Sequence, residues 1–403
     1  MMKWSSVIAG REEGRRSAIQ RSLEVCAERM REDLGDKAPD LVVAFISPHY
    51  SRSYERIPGL VKELFAPSLF IGCTAGGLIG GGEEIEQDRG VAVAGAILPG
   101  VKVTGFHITN DNLPDPDAPP SAWEEAIGVE NASEPSFILL PDPFTLKIDS
   151  LVQGLDYAFP SSVKVGGLAS GASKPGVNAL FLNDEVFREG MVGAAVSGNV
   201  VVDTIVAQGC RPIGKPFRVT NCHGNILLEL DGKTAIRVLK DVLENLTPQD
   251  QELARHSLFL GVVMNEFKDS FKAGDFLIRN LIGIVPEAGA LVVGELLRNE
   301  RTVQFHLRDA ATSSDDLRLL LKGYVDNSKG KSGTLSGALL FSCLGRGKYL
   351  YGHANHDSNS FREYLGEVPL AGFFCNGEIG PVGGTTFLHG YTSSFGLFRP
   401  KTS

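Results

Sequence analysis

Short runs of apolar residues recur along this chain, and each gives way to a polar, glycine-rich segment. Runs at 41–46 and 69–71 flank a short amphipathic pattern at 57–65. An apolar run of this length, bounded by turn residues, is typical of a strand buried on both faces. The pattern therefore predicts a strand, a helix and a second strand, which opens into a polar loop at Gly72.

The same pattern recurs three more times. Apolar runs begin at 137, 258 and 338, and each leads to a glycine about 25 to 34 residues later, the length of a β–loop–α–β unit. These glycines are Gly166, Gly283 and Gly372. The recurrence predicts four related units in two halves, with a chance recurrence of glycine-rich strand ends as the alternative. Short connections between paired strands favour mixed, largely antiparallel sheets.

Amphipathic patterns predict further helices. They lie at 10–34, 148–159, 233–245 and 315–324. Two prolines and two glycines near 206–216 indicate a rigid turn between the halves. We therefore predict an α/β (α+β) protein with an N-terminal domain at 1–207 and a C-terminal domain at 208–403.

Length and charge narrow the class of protein. A chain of 403 residues is expected to form two or three domains. Its net charge of -9 argues against nucleic acid as a partner. No apolar run approaches the ~20 residues of a membrane span, so no transmembrane segment is predicted. Six cysteines without paired spacing favour a reducing, cytoplasmic location, and we predict no metal and no cofactor.

Three cysteines follow buried-looking strands. They are Cys73, Cys343 and Cys375. A catalytic thiol needs a nearby base, for which His353, His356 and His389 are candidates, whereas a buried cysteine otherwise behaves as a small apolar residue. The segment 353–357 also contains histidine and aspartate, residue types that can ligate a metal. The favoured interpretation of this segment is a polar loop that follows a strand. The glycine-rich segment 76–82 lacks the Gly-Lys-Ser/Thr of a phosphate loop.

Several segments, taken in order, resemble the FIST (F-box and intracellular signal transduction) family. They are Gly72-Cys73-Thr74-Ala75-Gly76-Gly77, Gln208-Gly209-Cys210-Arg211-Pro212-Ile213-Gly214 with Val219-Thr220 and Glu229-Leu230-Asp231-Gly232, Asp275-Phe276-Leu277-Ile278-Arg279-Asn280-Leu281, Phe341-Ser342-Cys343-Leu344-Gly345-Arg346-Gly347, Gly372-Phe373-Phe374-Cys375-Asn376-Gly377-Glu378-Ile379-Gly380-Pro381 and Leu388-His389-Gly390-Tyr391-Thr392-Ser393. They span most of the chain, as a FIST N-terminal and a FIST C-terminal domain.

The resemblance implies a sensory module that binds small ligands such as amino acids. Many members carry signalling domains or an F-box, and we expect this chain to stand alone and to signal through a protein partner. The first hypothesis is therefore a small-ligand sensor of intracellular signal transduction without catalysis. The alternatives are a docking or scaffold subunit of a larger assembly and a thiol-dependent enzyme.

An amino-acid ligand needs a cation for its carboxylate and a carboxylate for its ammonium group. Arg346 lies between two glycines at one strand exit, and Glu378 lies within the next. An arginine presents two parallel donors to a carboxylate. Arg279, beside Asn280, interrupts an apolar run, so its charge needs a partner or a pocket edge. A structural salt bridge or solvent exposure is the alternative for these charges.

Polar neighbours complete the predicted ligand-binding set. Tyr391 offers a hydroxyl donor, or is an ordinary strand residue. The complete set is Cys73, Thr74, Arg279, Asn280, Cys343, Arg346, Cys375, Asn376, Glu378 and Tyr391.

Overall fold

The computed structural model describes residues 1–10, 19–328 and 333–401. It confirms an α+β chain with mixed sheets and two compact units. The first unit comprises Met1–Val206, Leu320–Leu388 and Thr392–Ser403, and the second comprises Ala207–Leu319 and His389–Tyr391. The first unit thus contains segments of both predicted domains.

The first unit consists of three repeats with one order of elements: strand, helical segment, strand, helical segment and four strands. The first repeat contains β1 (Lys3–Ala9), α1 (Ile19–Leu34), β2 (Leu41–Ile46), α2 (Ile57–Phe65), β3 (Leu69–Thr74), β4 (Gly77–Gly80), β5 (Glu83–Glu86) and β6 (Val91–Ile97). The predicted helix at 10–34 is observed from Ile19, and its residues 11–18 lie outside the described part.

The second repeat has the same order. It contains β7 (Val101–Ile108), α3 (Pro120–Ile127), β8 (Ser136–Pro141), α4 (Ile148–Ala158), β9 (Lys164–Gly167), β10 (Leu180–Leu182), β11 (Glu185–Phe187) and β12 (Met191–Gly198).

The third repeat begins with β13 (Val201–Ala207) and is then interrupted by the second unit. That unit contains β14 (Arg211–His223), β15 (Ile226–Leu230), β16 (Lys233–Thr234), α5 (Ala235–Glu244), α6 (Pro248–Ala254), β17 (Leu258–Val263), β18 (Phe276–Val285), β19 (Ala290–Val293) and β20 (Thr302–Leu307). The third repeat resumes within α7 (Ala310–Ser328) and continues through β21 (Gly337–Cys343), α8 (Gly347–Tyr351), α9 (His356–Leu365), β22 (Leu370–Cys375), β23 (Glu378–Val382), β24 (Thr385–His389) and β25 (Ser393–Arg399).

Each repeat builds a six-stranded sheet with a hairpin borrowed from another repeat. The strand orders are β1-β6-β2-β3-β10-β11, β7-β12-β8-β9-β23-β24 and β13-β25-β21-β22-β4-β5. The hairpin of the first repeat thus joins the sheet of the third, that of the third joins the second, and that of the second joins the first. This exchange links the three repeats into a closed ring of strand pairings.

One parallel strand pair forms the centre of each sheet, and a glycine lies at the same register in all three. A Cβ atom on Gly72, Gly166 or Gly372 would lie 2.4, 2.0 or 1.8 Å from a carbonyl oxygen of the neighbouring strand. Those oxygens belong to Ala44, Leu139 and Leu340. Only glycine allows so close an approach of two backbones. Three of the four glycines that the sequence singled out therefore have one structural purpose.

The expected unit at 258–283 has a different structure. Strands β17 and β18 pair antiparallel and have no helix between them. A Cβ atom on Gly283 would have no neighbour within 4 Å. This segment belongs to a separate seven-stranded sheet of order β14-β20-β17-β18-β19-β15-β16. Apolar runs and glycines alone did not distinguish an antiparallel hairpin from a β–α–β unit.

The core of the first unit is formed by inward-facing strand residues of all three repeats. Phe373 stacks on Phe45 at 4.7 Å between ring centroids and meets Phe341 edge-on at 5.9 Å. Helices α1 and α2 cover the opposite face of the first sheet, where Leu23 and Ile57 are fully buried. No helix in the described part of the chain is long and apolar enough to cross a membrane.

Candidate functional site

The ends of the central strands meet where the three repeats join. Gly76, Ser170 and Asn376 each lie four residues after the aligned glycine of their own repeat. The Ser170 hydroxyl accepts from the Gly76 amide at 2.9 Å and donates to the Phe374 carbonyl at 2.5 Å. The Asn376 amide group donates to the Ala169 carbonyl at 3.2 Å. Equivalent strand exits of different repeats are thus hydrogen-bonded to one another.

Two predicted site residues, Cys73 and Thr74, complete the packing of β3. Cys73 is fully buried, and burial raises the pKa of its thiol well above the usual value. The Thr74 hydroxyl donates to Asn178 Oδ1 at 3.0 Å and accepts from the Ala179 amide at 3.1 Å. These contacts hold the hairpin of the second repeat against the first sheet.

The guanidinium of Arg346 lies at the start of α8 and is fully buried. Its Nε and Nη2 atoms donate to the two carboxylate oxygens of Asp357, at 2.9 and 3.1 Å. Nη2 also donates to the Tyr351 hydroxyl at 2.6 Å. Although burial opposes the charge of Arg346, Asp357 holds the pKa of Arg346 above its usual range. Arg346 therefore makes a buried salt bridge through two of its three guanidinium nitrogens, Nε and Nη2.

Asp357 is the centre of this arrangement. It accepts from the hydroxyls of Ser342 at 3.1 Å and Ser393 at 2.6 Å, and its Oδ1 lies 3.0 Å from His356 Nδ1. The buried setting favours a neutral carboxyl, but Arg346 outweighs it and holds the pKa of Asp357 well below its usual range. The segment predicted as a loop after a strand is instead the junction of two helices, α8 and α9.

The third charged group, Glu84, comes from the first repeat, on the borrowed hairpin strand β5. Its Oε1 accepts from the Ser358 amide and hydroxyl, both at 2.9 Å. The residue is only 7 % exposed, and burial, followed by the nearby negative charge of Asp357, raises the pKa of Glu84 to about 7. We call Glu84, Arg346 and Asp357 the buried charge cluster.

Two polar atoms of the buried charge cluster have unmet hydrogen-bonding capacity. Arg346 Nη1 and Glu84 Oε2 are both buried and have no hydrogen-bond partner within the described ranges. A buried polar atom without a partner costs about 1–3 kcal/mol, and more when the group is charged. The cluster therefore holds one spare donor and one spare acceptor.

The equivalent positions of the other repeats show that the fold does not require this charge. Glu84 is the second residue of β5, and the corresponding residues of β24 and β11 are Thr386 and Val186. The Thr386 amide and hydroxyl donate to Asp156 at 2.6 and 2.7 Å, and Asp156 also pairs with Lys164 at 2.9 Å. Val186 packs against an apolar cluster. A neutral residue is therefore sufficient at both of the other junctions.

Glu378 and the two neighbouring cysteines lie at the same strand ends of the third repeat. Glu378 is fully buried and accepts from the Thr392 amide at 3.0 Å and the Thr392 hydroxyl at 2.6 Å. Cys375 Sγ lies 3.5 Å from Glu378 Oε1, and burial, then Glu378, raises the pKa of the Cys375 thiol. Cys343 is half-buried. The raised pKa values at Cys73 and Cys375 disfavour a thiolate in the resting protein.

The remaining predicted residues lie in the second unit. Arg279 pairs with Glu295, with Nε 2.6 Å from Oε2. The Tyr391 hydroxyl donates to Asn280, and the Tyr391 ring lies 4.4 Å from that of Phe259. Of the two environments expected for Arg279, a charged partner or a pocket edge, the structure shows the partner.

Glu84 and Asp357 were missed as site residues. A partial signal for Glu84 was present, because Gly81-Gly82 between two short runs is a hairpin turn. Nothing in the sequence indicates that this hairpin joins a strand almost 300 residues later. Asp357 was considered only as a metal ligand, and the described residues contain no cluster of three or more metal-ligating side chains.

The fold and the site define a two-unit α+β protein with a buried, incompletely satisfied charge cluster. Models of the FIST N domain and the FIST C domain match residues 40–233 and 235–381, and the chain therefore belongs to the FIST family. This membership places it among sensory domains of signal transduction.

Similar proteins occur in bacteria and plants. The uncharacterized protein Rv0628c of Mycobacterium tuberculosis is 35% identical over 380 residues, covering 94% of this chain and 96% of the relative. The F-box/LRR-repeat protein At5g63520 of Arabidopsis thaliana is 23% identical over 286 residues, covering 62% of this chain and 53% of the relative. Among solved structures, a cyanuric acid hydrolase from A. caulinodans aligns over 100% of both chains at 7% identity and a TM-score of 0.35.

Proposed function

We propose that this protein is a small-ligand sensor whose ligand, an amino acid or related metabolite, binds at the buried charge cluster of the third repeat. The observation that carries the proposal is the pair of unmet polar atoms, Arg346 Nη1 and Glu84 Oε2. A ligand with a carboxylate and an ammonium group supplies an acceptor for the first and a donor for the second. Buried charges that the fold does not require are typical of functional sites.

The borrowed hairpin offers a route for the ligand and for the signal. Strand β5 is the edge strand of its sheet and pairs with β4 alone. Displacing it breaks few backbone hydrogen bonds, and the displacement would uncover Glu84 and the start of α9. Because the hairpin connects the first repeat to the third, its position is a property that a protein partner can recognise. A ligand shifts this equilibrium only if it binds the two hairpin positions with different affinity.

The test is calorimetry and thermal unfolding of the full chain with a panel of L-amino acids. Matched carboxylic acids and amines that each lack one of the two charged groups complete the panel. A ligand present at 100 times its Kd stabilises the folded state by about 2.7 kcal/mol. We expect stabilisation by one or more amino acids and not by the corresponding acid or amine. The absence of stabilisation by every member of the panel would contradict an amino-acid ligand.

A pair of variants locates the site. Glu84, whose pKa is raised to about 7, would ionise on pairing with the ammonium group of the ligand. Glu84→Gln cannot ionise and is expected to weaken binding at least tenfold. Thr386→Val alters the equivalent hairpin position of the second repeat, and binding should be unchanged. Equal effects of the two substitutions on affinity would place the ligand elsewhere.

A further inference from the structure

Cys343 and Cys375 end two parallel strands side by side. The two residues are direct partners in the register of β21 and β22. Neighbouring strands lie about 4.8 Å apart. A disulfide joins residues whose Cα atoms are about 4.4–6.8 Å apart. The backbone therefore already has a spacing that a disulfide between these two residues requires.

The two side chains also belong to the same face of the sheet. Phe341 and Phe373, each two residues earlier, line one apolar core together with Cys375. Side chains alternate between faces with a period of two residues, so Cys343 lies on the face of Phe341. The Cβ atoms of Cys343 and Cys375 therefore project from the same face of this parallel strand pair.

The other repeats show that this pair of thiols is not a requirement of the fold. Cys375 lies three residues after its aligned glycine, and the residues at that position in the other repeats are Ala75 and Ala169. Cys343 lies three residues after the strand partner of that glycine, and the residues at that position in the other repeats are Ser47 and Asp142. Ser47 and Asp142 stabilise the loops that follow their strands. The Ser47 hydroxyl accepts from the Gly90 amide at 3.1 Å, and Asp142 accepts from the Thr145 hydroxyl at 2.7 Å.

We propose that Cys343 and Cys375 are a redox pair, in which a peroxide oxidises Cys343 and Cys375 then closes a disulfide between the two strands. This function is separate from ligand sensing and does not depend on it. A disulfide here would join β21 to β22 beside the buried charge cluster and would remove the contact of the Cys375 thiol with Glu378.

The first step is the attack of the Cys343 thiolate on hydrogen peroxide. Cys343 is half-buried, so a small oxidant can reach it. The guanidinium of Arg346 interacts electrostatically with this thiol. An S–O bond forms, the O–O bond breaks, and the departing hydroxide takes a proton to become water. Cys343 is then a sulfenic acid.

The second step closes the disulfide. The Cys375 thiol contacts Glu378 Oε1 at 3.5 Å, so Glu378 can accept its proton as the Cys375 sulfur attacks the sulfenic sulfur. The S–S bond forms, the S–O bond breaks, and the hydroxide leaves with that proton as water. In total, two thiols and one hydrogen peroxide become one disulfide and two water molecules.

The experiment is mild treatment of the full chain with hydrogen peroxide, followed by alkylation, tryptic digestion without reductant and mass mapping. Trypsin cleaves after Arg346 and Arg362, so the two cysteines fall on separate peptides. The half-buried Cys222 in the second unit provides an internal comparison. We expect a linked pair of peptides that separates on reduction, and faster oxidation of Cys343 than of Cys222.

Two substitutions complete the test. Cys375→Ala copies the residue of the other two repeats, so folding should be retained and Cys343 should accumulate as a sulfenic acid that dimedone traps. Cys343→Ser should abolish the link. The proposal is overturned if Cys343 oxidises no faster than Cys222, or if it oxidises in the native chain without forming the link to Cys375.

Discussion

The protonation of Glu84 is set by its burial beside a second carboxylate. A carboxyl group whose pKa is raised on folding holds its proton in the folded chain while the unfolded chain has already lost it. Stability therefore falls as the pH rises from the unfolded value, about 4.5, through the folded value, about 7. Between a pH below both pKa values and a pH above both, the free energy of unfolding falls by on the order of 3 kcal/mol.

Glu84→Gln removes this pH dependence, because glutamine does not ionise. We expect the variant to gain stability relative to the native chain between pH 5 and pH 8, on the order of 3 kcal/mol, in urea unfolding. The neighbouring and exposed Glu83→Gln is the control, and it should keep the native slope. Parallel profiles for the native chain and Glu84→Gln would show that Glu84 ionises normally in the folded state.

At the scale of elements, the parallel strand pair with its aligned glycine is the unit from which each repeat is built. Gly372→Ala would place a Cβ atom 1.8 Å from the Leu340 carbonyl oxygen, so the strands must separate. We expect a loss of about 3 kcal/mol in the free energy of unfolding, as for a severely overpacked site. Thermal or urea unfolding measures this loss of stability.

Gly59→Ala is the matched control for this substitution. Gly59 lies within α2, and a Cβ atom there would have no neighbour within 4 Å. Alanine in a helix interior is expected to stabilise by about 0.5–1 kcal/mol. Losses of similar size for the two variants would contradict the role assigned to the aligned glycine.

At the scale of the whole molecule, three repeats form one unit and a second unit is inserted into the third repeat. The two ends of the insertion are close together, because the Ser313 hydroxyl donates to the Gly209 carbonyl at 2.8 Å. Replacing residues 210–312 by two glycines should therefore leave a three-repeat protein that folds. We expect a single cooperative thermal transition and native-like circular dichroism. Loss of the cooperative transition would show that the repeats depend on the insertion.

Much of the local structure could be predicted from the chain alone. The strand at 41–46 and the helix at 57–65 have the predicted limits, because a buried apolar run between turn residues is a local signal. The helices α8 and α9 were missed, because their polar residues face other buried polar groups rather than following an amphipathic pattern. Gly72, Gly166 and Gly372 were singled out as strand ends, but their shared register became visible only in the paired strands.

The sequence by itself determined the α+β class, the family and most strands. Those features depend on the spacing of apolar residues and on the positions of glycines, which are signals confined to a few neighbouring residues. Tertiary structure decided that Arg346 pairs with Asp357, that Glu84 arrives from the first repeat, and that Cys343 lies beside Cys375. Hairpin exchange and strand register join residues far apart in the chain, and no local pattern of residues specifies which strand a hairpin will join.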